Sequence, residues 1–337
     1  MINQMAGSRS MEFQNAPYII SAASIVGPKE EEGPLGGLFD LAAPEAEFGE
    51  DTWEKAESTM QKEALQTAIG KAQLEMCQVR YLFGGDLLAQ LIATSFGNGD
   101  TEIPLFGLYG ACSTCGESLM LAAMTVAGGY ADYAAAVTSS HFGSAEKEFR
   151  FPLGYGNQRP LSASWTVTGS GAFVLSSRSG RVRVRGATPG RIVDMGVRDN
   201  MNMGACMAPA AGDTICRNLE DFHLQPKDYD QIITGDLGYI GQHILFDLMK
   251  ERGLDISDRH MDCGIEIYDK EKQDTHAGGS GCGCSAVVLA SYILPKLESG
   301  EWKRVLFVPT GALLSKVSFN EGQTVPGIAH AVILEHV

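Results

Sequence analysis

The sequence predicts an α/β fold built from two duplicated halves, each with a largely buried sheet. Three observations carry this. Apolar runs of four to eight residues, bounded by Gly or Pro, alternate with helix-like segments along the 337 residues. Three blocks of the first half recur in the same order in the second. Hydrophobic residues make up 44% and charged residues 20%, a globular composition able to bury a large core.

The first repeated block is VRYLFGGDLLAQLIATSF (residues 79–96) against DQIITGDLGYIGQHIL (230–245). Each is an apolar run, then Gly-Asp-Leu, then a helical stretch, with Asp86 and Asp236 in equivalent places. The second is residues 110–140 against 279–311, where a turn of small residues opens an Ala-rich apolar helix and a β-type run follows. The third is the strand GSGAFVLSS (169–177) against IAHAVILEH (328–336). Residues 18–26 and 191–197 read as the strands that open the two halves. Residues 53–77, dominated by Ala, Leu, Met, Gln, Glu and Lys, read as a helix.

The halves divide at 1–180 and 181–337. SGRVRVRGATP (179–189) reads as the connection between them, although its Val/Arg alternation also suits an exposed strand. Residues 142–165 form a long stretch rich in Gly, Pro and charge, a candidate lid or pocket wall.

Lys and Arg number 26 against 41 Asp and Glu, a formal charge of −15. This argues against nucleic-acid binding and against docking on anionic lipid through a general basic face. No apolar run reaches the ~18 residues of a bilayer span, and MINQMAGSRSMEF shows no secretory signal. The expectation is a protein made in the cytosol that meets membranes only through partners.

The eight cysteines are expected to be reduced. Cys112-x-x-Cys115 and Cys282-x-Cys284 admit two readings, four metal ligands or tight packing of small residues, and the Gly, Ala, Ser and Thr around them suit the second. Cys112 itself sits where a strand ending near Tyr109 turns into a helix. Backbone N–H groups and the positive helix end are expected there to lower the thiol pKa and favour a nucleophilic thiolate. They also suit an oxyanion or a ligand carboxylate. The opposing reading is a small residue packed among small residues.

The segment Ala111-Cys112-Ser113-Thr114-Cys115 resembles the nucleophile elbow of the thiolase superfamily, especially of β-ketoacyl synthases, and the duplication resembles its five-layer αβαβα fold. The resemblance spans nearly the whole chain. It is most detailed with sporulation members of the superfamily, through VGPKEEEGPLG (26–36), GLYGACSTCGESL (107–119), TSSHFGSAEKEFRFPLGYGNQRP (138–160), HAGGSGCGCSA (276–286) and residues 309–337. It implies a protein that binds dipicolinic acid and works with membrane-embedded partners of the same operon. Uptake into the forespore and release on germination are the implied processes, with a peripheral place at the spore inner membrane. A homodimer is implied by analogy.

Condensing enzymes of the superfamily pair the cysteine with His-His or His-Asn from the second half. Here the matching stretches offer Gly235 or Asp236 and Ser280, none of which supplies a base or a neutral Nε donor. His243 and His276 lie near the two positions in sequence. The implied reading is a retired enzyme; the alternative is an active acyltransferase with Cys112 as nucleophile. For a flat aromatic dianion, the candidate ligand groups are Cys112, Asp236, Ser280, His276, Thr310 and Ser315, with Arg150 and Arg159 as bidentate carboxylate partners. No resident cofactor or metal is expected. Calcium arriving with dipicolinate would meet Asp236, since carboxylate oxygens suit it.

Overall fold

The computed structural model describes residues 3–149 and 159–337. The first half supplies β1 (Tyr18–Val26), α1 (Trp53–Lys71), β2 (Tyr81–Gly85), β3 (Leu105–Gly107), α2 (Thr114–Ala127), β4 (Tyr133–Ser140), α3 (Phe142–Phe149) and β5 (Gly169–Ser176). The second supplies β6 (Val182–Thr188), α4 (Met203–Asp221), β7 (Gln231–Thr234), α5 (Gly238–Glu251), β8 (His260–Asp262), α6 (Cys282–Val288), β9 (Arg304–Val308) and β10 (Ala331–His336).

The main sheet runs β8-β7-β9-β10-β6-β1-β5-β4-β2-β3. Read outward from the middle, both halves have the same order. In the first, β2 is parallel to β3 and β4, while β4–β5 and β5–β1 are antiparallel. In the second, β7 is parallel to β8 and β9, while β9–β10 and β10–β6 are antiparallel. The halves join where β1 meets β6, with Ile19 opposite Val182 and Tyr18 opposite Arg183. The duplication read in the sequence is therefore a duplication of strand order and direction.

Composition explains the layers. α1 starts at Thr52, whose side chain accepts from Lys55 N, and it buries Ala56, Met60, Ala64, Leu65, Ala68 and Ile69. It stops at Lys71, short of the expected 77, because Gln73 turns left-handed at φ +57°. α2 and α6 form the central layer and are buried almost all round. Small residues make this possible. A Cβ on Gly171 of β5 would sit 2.7 Å from the Ala286 backbone of α6. Each large side chain that still fits there, such as the fully buried Leu119, contributes about 1.5–3 kcal/mol.

Two expectations need correction. Residues 179–189 hold β6, a strand in the middle of the sheet and not a connection. Val182 and Val184 are buried. Arg183 and Arg185 point the other way and bind the buried carboxylate of Glu335 at 2.7 and 3.2 Å. Residues 191–197 make no strand; Val193 forms a lone bridge to Gly327. Within 142–165, an eight-residue helix comes first, α3, and residues 150–158 lie outside the described part of the chain. All eight cysteines are free, and all but Cys77 are buried.

Candidate functional site

The site forms where the ends of the equivalent strands of both halves meet. After β3 the chain makes a tight turn into α2. Ala111 takes a left-handed conformation at φ +50°, which costs a non-glycine residue about 1–2 kcal/mol. The turn is tied down by Ser113 Oγ donating to Gly110 O at 2.7 Å and Thr114 Oγ1 to Ala111 O at 2.7 Å. Gly311 lets the second half approach: a Cβ there would lie 2.3 Å from Gly110 O.

Cys112 is buried at the tip, 6% exposed. Its Sγ lies 3.8 Å from Ser280 Oγ. Ser280 in turn donates to Asp236 Oδ2 at 3.0 Å, leaving its own oxygen to accept the thiol proton. Gly281 N donates to the same Asp236 oxygen at 3.0 Å, and Thr310 Oγ1 donates to Oδ1 at 2.7 Å. Cys112, Ser280, Asp236 and Thr310, four of the residues singled out in the sequence, are thus one buried hydrogen-bonded chain. Between Gly235 and Asp236, it is Asp236 whose carboxylate enters the site.

The electrostatics reverse the expected thiolate. Burial, and then the Asp236 carboxylate, push the Cys112 thiol well above its ordinary pKa. Burial also raises the Asp236 carboxyl, against the hydrogen bonds it accepts. The helix end is present, but desolvation and a neighbouring negative group outweigh it. Asp262 is a further buried carboxyl, raised by burial and in part by Asp236. Its carboxylate accepts from Thr234 Oγ1 at 2.6 Å and from Leu237 N at 2.9 Å, and burial lifts it to about 7.

Among the described residues, none of the seven histidines hydrogen-bonds to Cys112. His141 Nε2 meets Ala46 O at 2.8 Å, His260 meets Thr234 and Gln242, His330 accepts from Gly190 N, and His336 meets Leu297 O. His223 and His243 are exposed. His276 binds Pro160 O at 2.9 Å and Asp274 at 3.1 Å, fastening two loops to each other. Arg159 donates to Asp274 O at 2.7 Å and lies over the Trp165 ring at 4.7 Å. Ser315 is exposed and caps a short helical turn. Arg150 lies outside the described residues.

A cavity of about 460 Å³ adjoins the corner. Leu87 and Phe149 line it and also pack in the cluster that holds Cys112, Ala145 and Cys282. Its other walls include Leu88, Leu91, Tyr109 and Leu314, with Ser315, Lys316 and Glu148 as polar groups. Sequence reasoning missed Tyr109, Lys316 and the 87–91 loop. The available signal was the Gly-Asp-Leu repeat: Asp86 organises this loop by accepting from Leu88 N and from Thr94 N, both at 2.8 Å.

A protein-family model described as stage V sporulation protein AD matches residues 7–335. The chain belongs to that family. The stage V sporulation protein AD of Bacillus subtilis (strain 168) is 42% identical over 332 residues, covering 98% of each chain. Among solved structures, an OleA variant from Xanthomonas campestris bound with cerulenin superposes at TM-score 0.62 with 15% identity, covering 96% of this chain and 98% of that one. The 3-oxoacyl-[acyl-carrier-protein] synthase III of Aquifex aeolicus gives 0.57 with 12% identity, covering 95% and 100%. The fold is thiolase-like, and these distant enzymes speak to fold alone. Among the described residues, no helix is long and apolar enough to cross a membrane.

Proposed function

We propose that this sporulation protein is a catalytically retired receptor for dipicolinic acid, acting with SpoVA membrane proteins in uptake into the forespore and release on germination. The observation that carries the reading is the buried Cys112–Ser280–Asp236 chain. Thiol activation needs a base that can take and hold the proton. A serine hydroxyl stores no proton near neutral pH, and the carboxylate behind it raises the thiol pKa. The corner is built to bind rather than to condense.

The cavity beside it offers largely apolar walls for a ring, with Glu148 as its one acidic group among the described residues. The Tyr109 and Ser315 hydroxyls and the Lys316 ammonium serve as carboxylate partners. Calcium is a poorer fit. Asp236 already accepts three hydrogen bonds, and no cluster of three His, Cys, Asp or Glu suited to a metal occurs among the described residues. The hydroxyls and the ammonium hold the dianion without the ion. Calorimetric titration of dipicolinate in chelator and in added calcium tests this, with equal affinity expected. A calcium requirement would put the ion back in the site.

Location at the spore inner membrane then rests on partners. A homodimer is supported by β3, a sheet-edge strand whose three residues are exposed, Leu105 and Phe106 among them. The strained Cys112 turn and the apolar cavity favour one second reading, an acyltransferase. Incubation with acyl-CoA and intact-mass measurement separates the two, since only the enzyme gains an adduct that Cys112→Ala abolishes.

A further inference from the structure

A second cavity, of about 340 Å³, opens at the other end of α3. α3 reaches both: Phe142 and Gly143 at its start line this cavity, while Glu148 and Phe149 at its end line the one beside Cys112. The walls are aromatic. Phe142 stacks on Trp165 with ring centroids 3.8 Å apart and planes 5° apart. Trp53 stands across from them beside His141, centroids 5.4 Å apart.

Two cations meet the Trp165 ring beside this cavity. Lys29 Nζ lies 4.3 Å from the Trp165 ring centre and donates to Gln273 O at 2.6 Å, which leaves it further N–H groups. No carboxylate lies within salt-bridge distance of it among the described residues, although Glu30 and Asp274 act on it from farther off. The Arg159 guanidinium lies over the same ring. The acid that lines the cavity, Glu30, is 1% exposed. Its Oε1 accepts from Thr168 N at 3.0 Å and from the Tyr268 hydroxyl. Its Oε2 is buried with no hydrogen-bond partner among the described residues. Burial lifts this carboxyl to about 7, so near neutral pH it carries only part of a full negative charge. His141 has both ring nitrogens engaged, by Gly143 N at 3.0 Å and Ala46 O, and burial keeps it neutral.

We infer that this cavity is a second ligand site, for a small planar aromatic acid whose ring lies against Trp53 and Phe142 and whose carboxylate meets Lys29. Aromatic walls supply the stacking surface, and a half-buried ammonium with no carboxylate at salt-bridge distance among the described residues supplies the charge. The ligand class follows from these walls and stands apart from the reading of the Cys112 corner.

Two of the chain's three tryptophans, Trp53 and Trp165, line the cavity, whereas Trp302 packs on Tyr292. Intrinsic fluorescence therefore reports on the site. Dipicolinate and benzoate serve as probes, titrated into the full chain and the Trp302→Phe variant. Saturable quenching is expected in both. Lys29→Gln is expected to weaken it about tenfold, the worth of one charge-assisted hydrogen bond, and Lys29→Arg to preserve it. No saturable quenching, or quenching indifferent to Lys29→Gln, overturns the proposal. Calorimetric heat that survives Lys29→Gln in that case would still belong to the Cys112 cavity, so the two sites fail separately.

Discussion

Ser280 donates its hydroxyl proton to Asp236 at 3.0 Å and so turns its oxygen toward Cys112. That one bond sets the polarity of the corner: the thiol gives its proton to a hydroxyl that cannot keep it, in front of a carboxylate that disfavours thiolate.

Cys112 is therefore expected to resist alkylation near neutral pH. Asp236→Asn removes the negative neighbour and should lower the thiol pKa, speeding modification by iodoacetamide several-fold. The comparison is made by intact mass in a Cys77→Ser background, since Cys77 is the exposed thiol. Equal rates in the two proteins would show that burial alone sets the reactivity.

Gly311 is where the halves touch at the turn. Gly311→Ala places a methyl 2.3 Å from Gly110 O and 2.9 Å from Ser113 N, against the backbone of the turn. A loss of about 1–3 kcal/mol in urea unfolding is expected, together with weaker dipicolinate binding. A fully stable variant would mean that the turn yields readily.

Stability should fall as pH rises from the acid range to about 8. Burial, and then the nearby Asp86, lift the Glu57 carboxyl to about 8, far above an unfolded value near ~4.3. The folded chain thus binds the proton more tightly than the unfolded chain. Its stability declines from roughly pH 4.3 up to about 8, by up to about 1.4 kcal/mol per pH unit. Asp262 and Glu30, each lifted to about 7 chiefly by burial, act in the same direction. Glu57→Gln should flatten the slope measured by urea unfolding. An unchanged slope would remove Glu57 from the account.

Glu335 gathers Arg183, Arg185 and Arg304 on the face of β6 and its neighbours. Glu335→Ala leaves the three guanidinium groups facing one another, and a loss of about 1–3 kcal/mol is expected, reduced by their partial exposure. High salt should restore part of it. A variant as stable as the parent would show that the arginines find other partners.

These residues also show what the sequence could carry. The Gly-Asp-Leu repeat put Asp86 and Asp236 at equivalent strand ends, and the strand order bears this out. The cysteine turn was legible because a strand, small residues and an apolar helix follow in a fixed order. β6 reads as a connection or an exposed strand because its Arg residues look solvated; their partner, Glu335, is some 150 positions away. The thiolate was misjudged for the same reason. The helix end is local in sequence, whereas Asp236 and the burial that overrides it arrive only through folding. His276 was plausible by proximity, but its ring is committed to Pro160 and Asp274.

The central claim is a receptor that recognises a flat dicarboxylate by its shape, and isomer selectivity tests it most directly. Calorimetric titration of dipicolinic acid is compared with its isomers carrying the two carboxylates elsewhere on the pyridine ring. Saturable heat for dipicolinate, and much weaker binding of the others, is the predicted result. Equal heats for all isomers, or none for any, would contradict the account.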